Sequence, residues 1–134
     1  IKKNSLGFNN FYQSYFLSKI ASIPYIDAKI AISKDYYTIN KKKKWITNEL
    51  SRKRTHLLRS QYDSIISTSK SINKDNSLLN CRINGFNKQK PDLIIIDLKL
   101  QLKRNLVIFK SPIKRNILLI TSFSSKKKVN FFTS

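Results

Sequence analysis

Residues 92–97 read Asp92-Leu93-Ile94-Ile95-Ile96-Asp97, four aliphatic residues in a row closed by a carboxylate. Uninterrupted runs of this kind are typical of parallel strands buried on both faces. Ile117-Leu118-Leu119-Ile120 repeats the pattern and ends in Thr121 and Ser122. Upstream, 64–68 reads as a short strand. Further upstream, Ile26, Ala28, Ile30 and Ile32 follow Pro24 and alternate with Tyr25, Asp27, Lys29 and Ala31, a period of two that predicts another strand. Between these two strands Thr47 predicts a helix N-cap, with Glu49 in the first turn and an end near Ser60. Leu50, Leu57 and Leu58 supply its apolar stripe, and Arg52, Lys53 and Arg54 its wet side. Residues 26–68 are therefore expected to form a β-α-β unit with a right-handed crossover. The polar stretch 69–90 reads as a long loop, and 129–132 as a further strand. The expectation is an α/β domain with four or five mostly parallel strands and flanking helices. Its ligands should lie beyond the carboxyl ends of the strands, at 33–35, 68–75, 97–98 and 121–122.

The chain has 134 residues, enough for one modest domain, and 40% of them are apolar, enough for a core. A bilayer span needs about 20 apolar residues, and no run approaches that, so no membrane is expected among its partners. One cysteine, Cys81, excludes an internal disulfide and a multi-cysteine zinc site, fits a reduced, cytoplasmic setting, and leaves no metal expected. The net charge is +20. Lys, Ile, Asn, Phe and Tyr make up half the chain, the mark of A/T-rich codons, so part of that charge is codon bias. No specific nucleic-acid partner is expected on charge alone. A basic RNA-binding or ribosome-associated protein, using the lysine runs 41–44 and 126–128, is the alternative.

Only Gly7 and Gly85 are glycines, so neither a dinucleotide G-x-G-x-x-G loop nor a P-loop can be written. His56, the single histidine, reads as a helix-surface residue, and Cys81 as a half-buried thiol. Lys29 interrupts an apolar strand, either as the wet side of an edge or as a functional cation. Trp45 is core packing at a helix start or an aromatic wall where a phosphate or ring docks. Arg59 and Arg82 are surface residues or phosphate forks. Asp75 is a turn residue or an acceptor for a sugar hydroxyl.

Taken together, four blocks resemble one family. Pro24-Tyr-Ile-Asp-Ala-Lys-Ile-Ala-Ile-Ser33 is similar to its opening strand, and Lys44-Trp-Ile-Thr47 with Arg54-Thr-His-Leu-Leu-Arg59 to its first helix. Ser71-Ile-Asn-Lys-Asp75 through Arg82, and Pro91 through Asp97, follow in the same order and spacing, from about residue 23 to 122. They resemble the reductase domain of the bifunctional riboflavin-biosynthesis deaminase/reductase.

The resemblance implies a dihydrofolate-reductase-like α/β fold, incomplete at the C-terminus. It implies an oxidoreductase that uses NADPH to reduce 5-amino-6-(5-phosphoribosylamino)uracil, a phosphorylated pyrimidine, to the ribitylamino product. Ile32, Trp45, Ser71, Asp75 and Leu98 fall on cofactor positions, and Lys43, Arg59, Leu79 and Arg82 on substrate positions. Lys29 matches the strand lysine near the reacting sugar, a proton source. Residues 1–22 resemble the lead-in from a preceding deaminase domain, and 23–134 the N-terminal part of the reductase domain. The family's Gly-Gly phosphate loop would lie beyond Ser134, so the fragment alone is expected to be inactive, and a homodimer is expected only of the complete enzyme. The chain departs from the family at Asp35-Tyr36 in place of Asp-Gly, at Lys43, at Asp75-Asn76-Ser77 in place of Asp-Asp-Pro, and at Leu98 in place of a hydroxyl residue. A degenerate, non-catalytic remnant is thus a further alternative.

Overall fold

The computed structural model of the chain describes residues 12, 15, 17, 19, 22–38, 45–86, 90–112 and 114–122, in two units, Ile1–Ile46 and Thr47–Ser134.

In the first unit Tyr12, Tyr15, Leu17 and Lys19 are helical, and Ile23 N–H donates to the Leu17 carbonyl at 3.0 Å. Residues 22–33 then run without regular structure, so the strand expected at 26–32 is absent, and Ile26 and Ile30 are exposed. Alternation specifies which side of a strand is apolar, but a strand forms only by hydrogen bonding to a neighbouring edge. The segment ends in a turn in which Ser33 and Tyr37 exchange bonds of 2.8–3.0 Å and Tyr36 takes φ 65°. Tyr36 thus lies in the left-handed region that glycine occupies without strain.

The second unit runs α1 (Glu49–Ser60), β1 (Ser64–Thr68), α2 (Ser69–Asp75), β2 (Asp92–Ile96), α3 (Val107–Lys110) and β3 (Ile117–Ile120). The cap of α1 is Asn48 rather than Thr47: its Oδ1 accepts from Ser51 N–H at 2.9 Å. Thr47 instead offers its carbonyl to Arg52 Nη1 at 2.7 Å, so Arg52 is half-buried and not on the wet side. Leu57 and Leu58 are half-buried, but Leu50, seven residues before Leu57 on the same stripe, is 75% exposed. Only the C-terminal half of α1 is packed.

The stretch expected as a loop after β1 contains α2. Its Thr68 cap accepts from Ser71 N–H at 3.3 Å, and Asn76 ends it at φ 43°. Ile72 alone carries its apolar side, and one apolar residue in seven shows no period to read.

The three strands pair in parallel in the order β1-β2-β3, with Ile65, Leu93 and Ile117 in one row and Ile66, Ile94 and Leu118 in the next. Residues 26–32 supply no strand, so the β-α-β unit expected over 26–68 does not form, and residues 129–132 lie outside the described residues. Leu93 and Ile95 are 0% exposed and pack with Ile72, Leu102, Leu106 and Ile108. Burying such side chains contributes about 1.5–3 kcal/mol each. The opposite face is open: Ile66, Ile96, Leu118 and Ile120 are exposed. The aliphatic runs therefore bury one face among the described residues, not two. Asp92 fixes the register of β3, accepting from Asn116 N–H at 3.2 Å and from its amide at 3.1 Å. No helix of the described residues is long and apolar enough to cross a membrane.

Candidate active site

Two clusters form in the second unit, and both are built on loops that a strand or helix terminus holds in place. The first lies at the carboxyl ends of the strands. Asp97, at the end of β2, is 3% exposed, and its Oδ1 accepts from Ser69 Oγ at 2.8 Å and from Gln101 N–H at 2.9 Å. Its Oδ2 accepts from Leu102 N–H at 2.7 Å. Leu98, next in the chain, offers its carbonyl to Ser122 Oγ at 2.9 Å and to Thr121 Oγ1 at 3.4 Å, which ties in the end of β3. The start of α2, with Ser71, and the exposed Leu98 are thus held at the carboxyl-terminal end of the sheet. Asp75 lies at the other end of α2 and is exposed. That helix is anchored along its length: Asn73 bridges Gln101 and Lys103 at 2.8 and 2.9 Å, and Asn76 accepts from Val107 N–H at 2.9 Å.

The second cluster gathers cations around one carbonyl. Arg59, in the last turn of α1, donates from Nη1 to the Asn80 carbonyl at 3.2 Å. His56 Nδ1 is 2.9 Å from the same oxygen, and Arg82 Nη2 is 3.3 Å from His56 Nε2. Arg115 Nη1 donates to the Leu79 carbonyl at 3.0 Å, and its Nη2 to the Leu78 carbonyl. Those bonds hold Leu79 at φ 49°, a left-handed conformation uncommon for leucine. Burial, then the Arg82 charge and the Arg115 charge, push the Arg59 pKa down, with Cys81 acting the other way. Cationic charge is thus concentrated in a place that disfavours it, which an anion would relieve. The Lys53–Glu49 ion pair at 2.9 Å is exposed and lies elsewhere on α1, and neither Arg59 nor Arg82 pairs with a carboxylate among the described residues. Asn80 is 7% exposed, and its Oδ1 has no partner among the described residues.

Of the residues singled out from sequence, the structure groups Arg59, Leu79 and Arg82, and brings Ser71 and Leu98 to the carboxyl-terminal end of the sheet. Lys29, Ile32 and Trp45 belong to the first unit, and all three are exposed. Lys43 and the lysine runs 41–44 and 126–128 lie outside the described residues. His56 is not a plain helix-surface residue: it is half-buried and bonded across 24 residues to the Asn80 carbonyl. Cys81 is fully buried rather than half-buried. Arg115 and Asn80 were not legible at all. In a chain with 27 basic residues, one more arginine carries no signal, and a carbonyl's role has none in sequence.

The chain is similar to known proteins throughout this region. The family described as RibD C-terminal domain matches residues 24–133. The riboflavin biosynthesis protein RibD of Buchnera aphidicola subsp. Baizongia pistaciae is 33% identical over 116 residues, covering 85% of this chain. The chain spans 28% of that relative's length. A crystal structure from Thermotoga maritima, of a diaminohydroxyphosphoribosylaminopyrimidine deaminase/5-amino-6-(5-phosphoribosylamino)uracil reductase, superposes with a TM-score of 0.73 at 21% identity. That match covers 87% of this chain and 33% of the other. The fold is the dihydrofolate-reductase-like α/β fold of that reductase domain. With the family match over 24–133 and the 33% identity to a curated relative, the chain belongs to the RibD C-terminal domain family.

Proposed function

We propose that the chain contributes the reductase site of riboflavin biosynthesis, reducing 5-amino-6-(5-phosphoribosylamino)uracil to its ribitylamino product with NADPH. The observation that carries this reading is the pair Arg59 and Arg82, two guanidiniums with no carboxylate partner among the described residues. Guanidinium forks match phosphate oxygens in geometry and charge. The substrate's phosphate is the anion they would take, with Leu79 and Lys43 as the remaining substrate positions.

For the cofactor, the family resemblance assigns Ile32 and Trp45 in the first unit and Ser71, Asp75 and Leu98 in the second. Within the second unit, an exposed serine hydroxyl, a carboxylate for a sugar hydroxyl and an apolar side chain suit parts of a nicotinamide dinucleotide; within the first, Trp45 offers an exposed indole that can stack on a ring. Ser71 and Leu98 also lie at the carboxyl ends of parallel strands, where ligands of α/β sheets bind. When bound, NADPH supplies the hydride, and the protein's part is orientation and electrostatics. Arg59 and Arg82 hold the substrate's phosphate, so the sugar end is presented in one orientation. Lys29 carries an exposed ammonium and is the candidate to give up a proton to the opening sugar.

The reading is tested by two titrations of the complete enzyme that carries this chain, with Trp45 kept as its sole tryptophan. Calorimetry with the phosphorylated substrate should show binding that is lost with its dephosphorylated analogue. The emission of Trp45 should change as NADPH saturates. Equal binding with and without the phosphate, or an unchanged emission at saturation, would remove the substrate or the cofactor assignment respectively.

A further inference from the structure

His56 is the only histidine in the chain, and both ring nitrogens are engaged. The Asn80 carbonyl, 2.9 Å from Nδ1, can only accept, so Nδ1 must carry the proton. The Arg82 guanidinium, 3.3 Å from Nε2, can only donate, so Nε2 must present its lone pair. The two contacts require the same form of the ring: neutral, with the proton on Nδ1. The Asn80 carbonyl also takes Arg59 Nη1 at 3.2 Å. One oxygen thus positions Arg59 directly and Arg82 through the imidazole.

We propose that His56 is a positioning residue, a neutral Nδ1–H imidazole whose Nε2 holds Arg82 in line with Arg59, so that the two guanidiniums form one fork for a phosphate monoester. This rests on the reading of Arg59 and Arg82 as the anion site, and adds to it a third side chain that never touches the ligand. The surroundings keep the ring neutral. The groups that face it are Arg59 on its own helix, and the Asn80 carbonyl and Arg82 on the loop after α2; Cys81 and Arg115 act on Arg59. Burial lowers the His56 pKa most; the Asn80 carbonyl raises it, and the Arg59 and Arg82 charges lower it again. A second proton on Nε2 would set N–H against N–H and break the contact with Arg82. The cluster also explains why a histidine, and not a lysine or arginine, stands at 56: a neutral imidazole donates at one nitrogen and accepts at the other, whereas a lysine or arginine cation can only donate.

The test uses the chain with inorganic sulfate as the probe, a dianion that does not titrate near neutral pH. Long-range nitrogen–proton NMR reads the single imidazole without ambiguity. The expected spectrum near neutral pH is the Nδ1–H tautomer, titrating below the ordinary histidine range. Arg82→Ala and His56→Ala should each weaken sulfate binding by about tenfold, the effect of one charge-assisted bond. The double variant should be no weaker than Arg82→Ala alone, because His56 acts only through Arg82. His56→Gln, whose Oε1 can accept from Arg82, should stay within about threefold of the parent. Should His56→Ala fail to fold, the tautomer of the parent and the affinity of His56→Gln decide the matter. An Nε2–H tautomer, additive losses, or a folded His56→Gln as weak as Arg82→Ala would overturn the inference. Sulfate binding that is strong in the parent and unchanged in His56→Ala overturns the role of His56 and leaves the arginine site standing. No sulfate binding by the parent overturns both.

Discussion

Ser69 Oγ donates to Asp97 Oδ1 at 2.8 Å, a buried bond between the first residue of α2 and the residue that closes β2. Through it the carboxylate joins the start of the helix that carries Ser71 to the loop that carries Leu98. The same carboxylate also takes two backbone N–H groups, of Gln101 and Leu102. Removing it strands three donors at once, two of them in the backbone. Asp97→Ala is therefore expected to cost about 4 kcal/mol, and Ser69→Ala about 1.5 kcal/mol, against a typical domain stability of about 5–15 kcal/mol. Urea unfolding measures both. A loss under about 1 kcal/mol for Asp97→Ala would mean that the loop holds without the carboxylate.

Arg115 grips the carbonyls of Leu78 and Leu79 and so holds the segment that bears Asn80 and Arg82. Arg115→Met keeps the apolar stem and removes both bonds. The amides of 79–82 should then exchange about tenfold faster or more, while β2 keeps its protection. Uniform acceleration across the sheet would instead mean that Arg115 stabilises the whole unit.

The stability of the chain should fall on mild acidification because of His56. Its folded pKa is lowered from the ordinary 6.5, chiefly by burial. Above 6.5 the ring is neutral in both states and contributes no pH dependence. As the pH falls below that value the unfolded chain takes up the proton first, so unfolding is favoured, until the folded ring also protonates and the effect levels off. His56→Gln should flatten the stability profile in this window, read by thermal melts at matched ionic strength. An identical slope in the variant would assign the effect to other groups.

The arginines should matter to the substrate where the lysine run 126–128 does not. Arg59→Ala or Arg82→Ala is expected to weaken binding of the phosphorylated substrate by about 1.5–3 kcal/mol for each lost charged bond. Neutralising Lys126, Lys127 and Lys128 should change it by less than about 0.5 kcal/mol, since the resemblance puts none of them on a substrate position and a charge away from the site is screened by salt. An equal effect from the lysines would favour a general polyanion-binding surface and the RNA-binding alternative.

The sequence alone determined the elements whose information is local. The runs 93–96 and 117–120 are strands, and their uninterrupted aliphatic character correctly marked a parallel sheet. Helix α1 was legible from its stripe and from a capping side chain within one residue of Asn48. The family blocks assign Arg59, Leu79 and Arg82 to substrate positions, and the fold gathers the three residues in one cluster. Only the tertiary structure decided the rest. The alternation at 26–32 promised a strand, but strand hydrogen bonds need a partner edge, which no local pattern encodes. Helix α2 was hidden because a single residue, Ile72, reaches the core, and its stability comes from Asn73 and Asn76 bonding to residues 101–107. The cation cluster is the clearest case. Arg59 reaches a carbonyl 21 residues away, and Arg115 one 36 residues away. An arginine's spelling is the same whether it faces solvent or a buried carbonyl; the folded chain's long-range geometry determines which, and with it the charge, orientation and chemistry of the site.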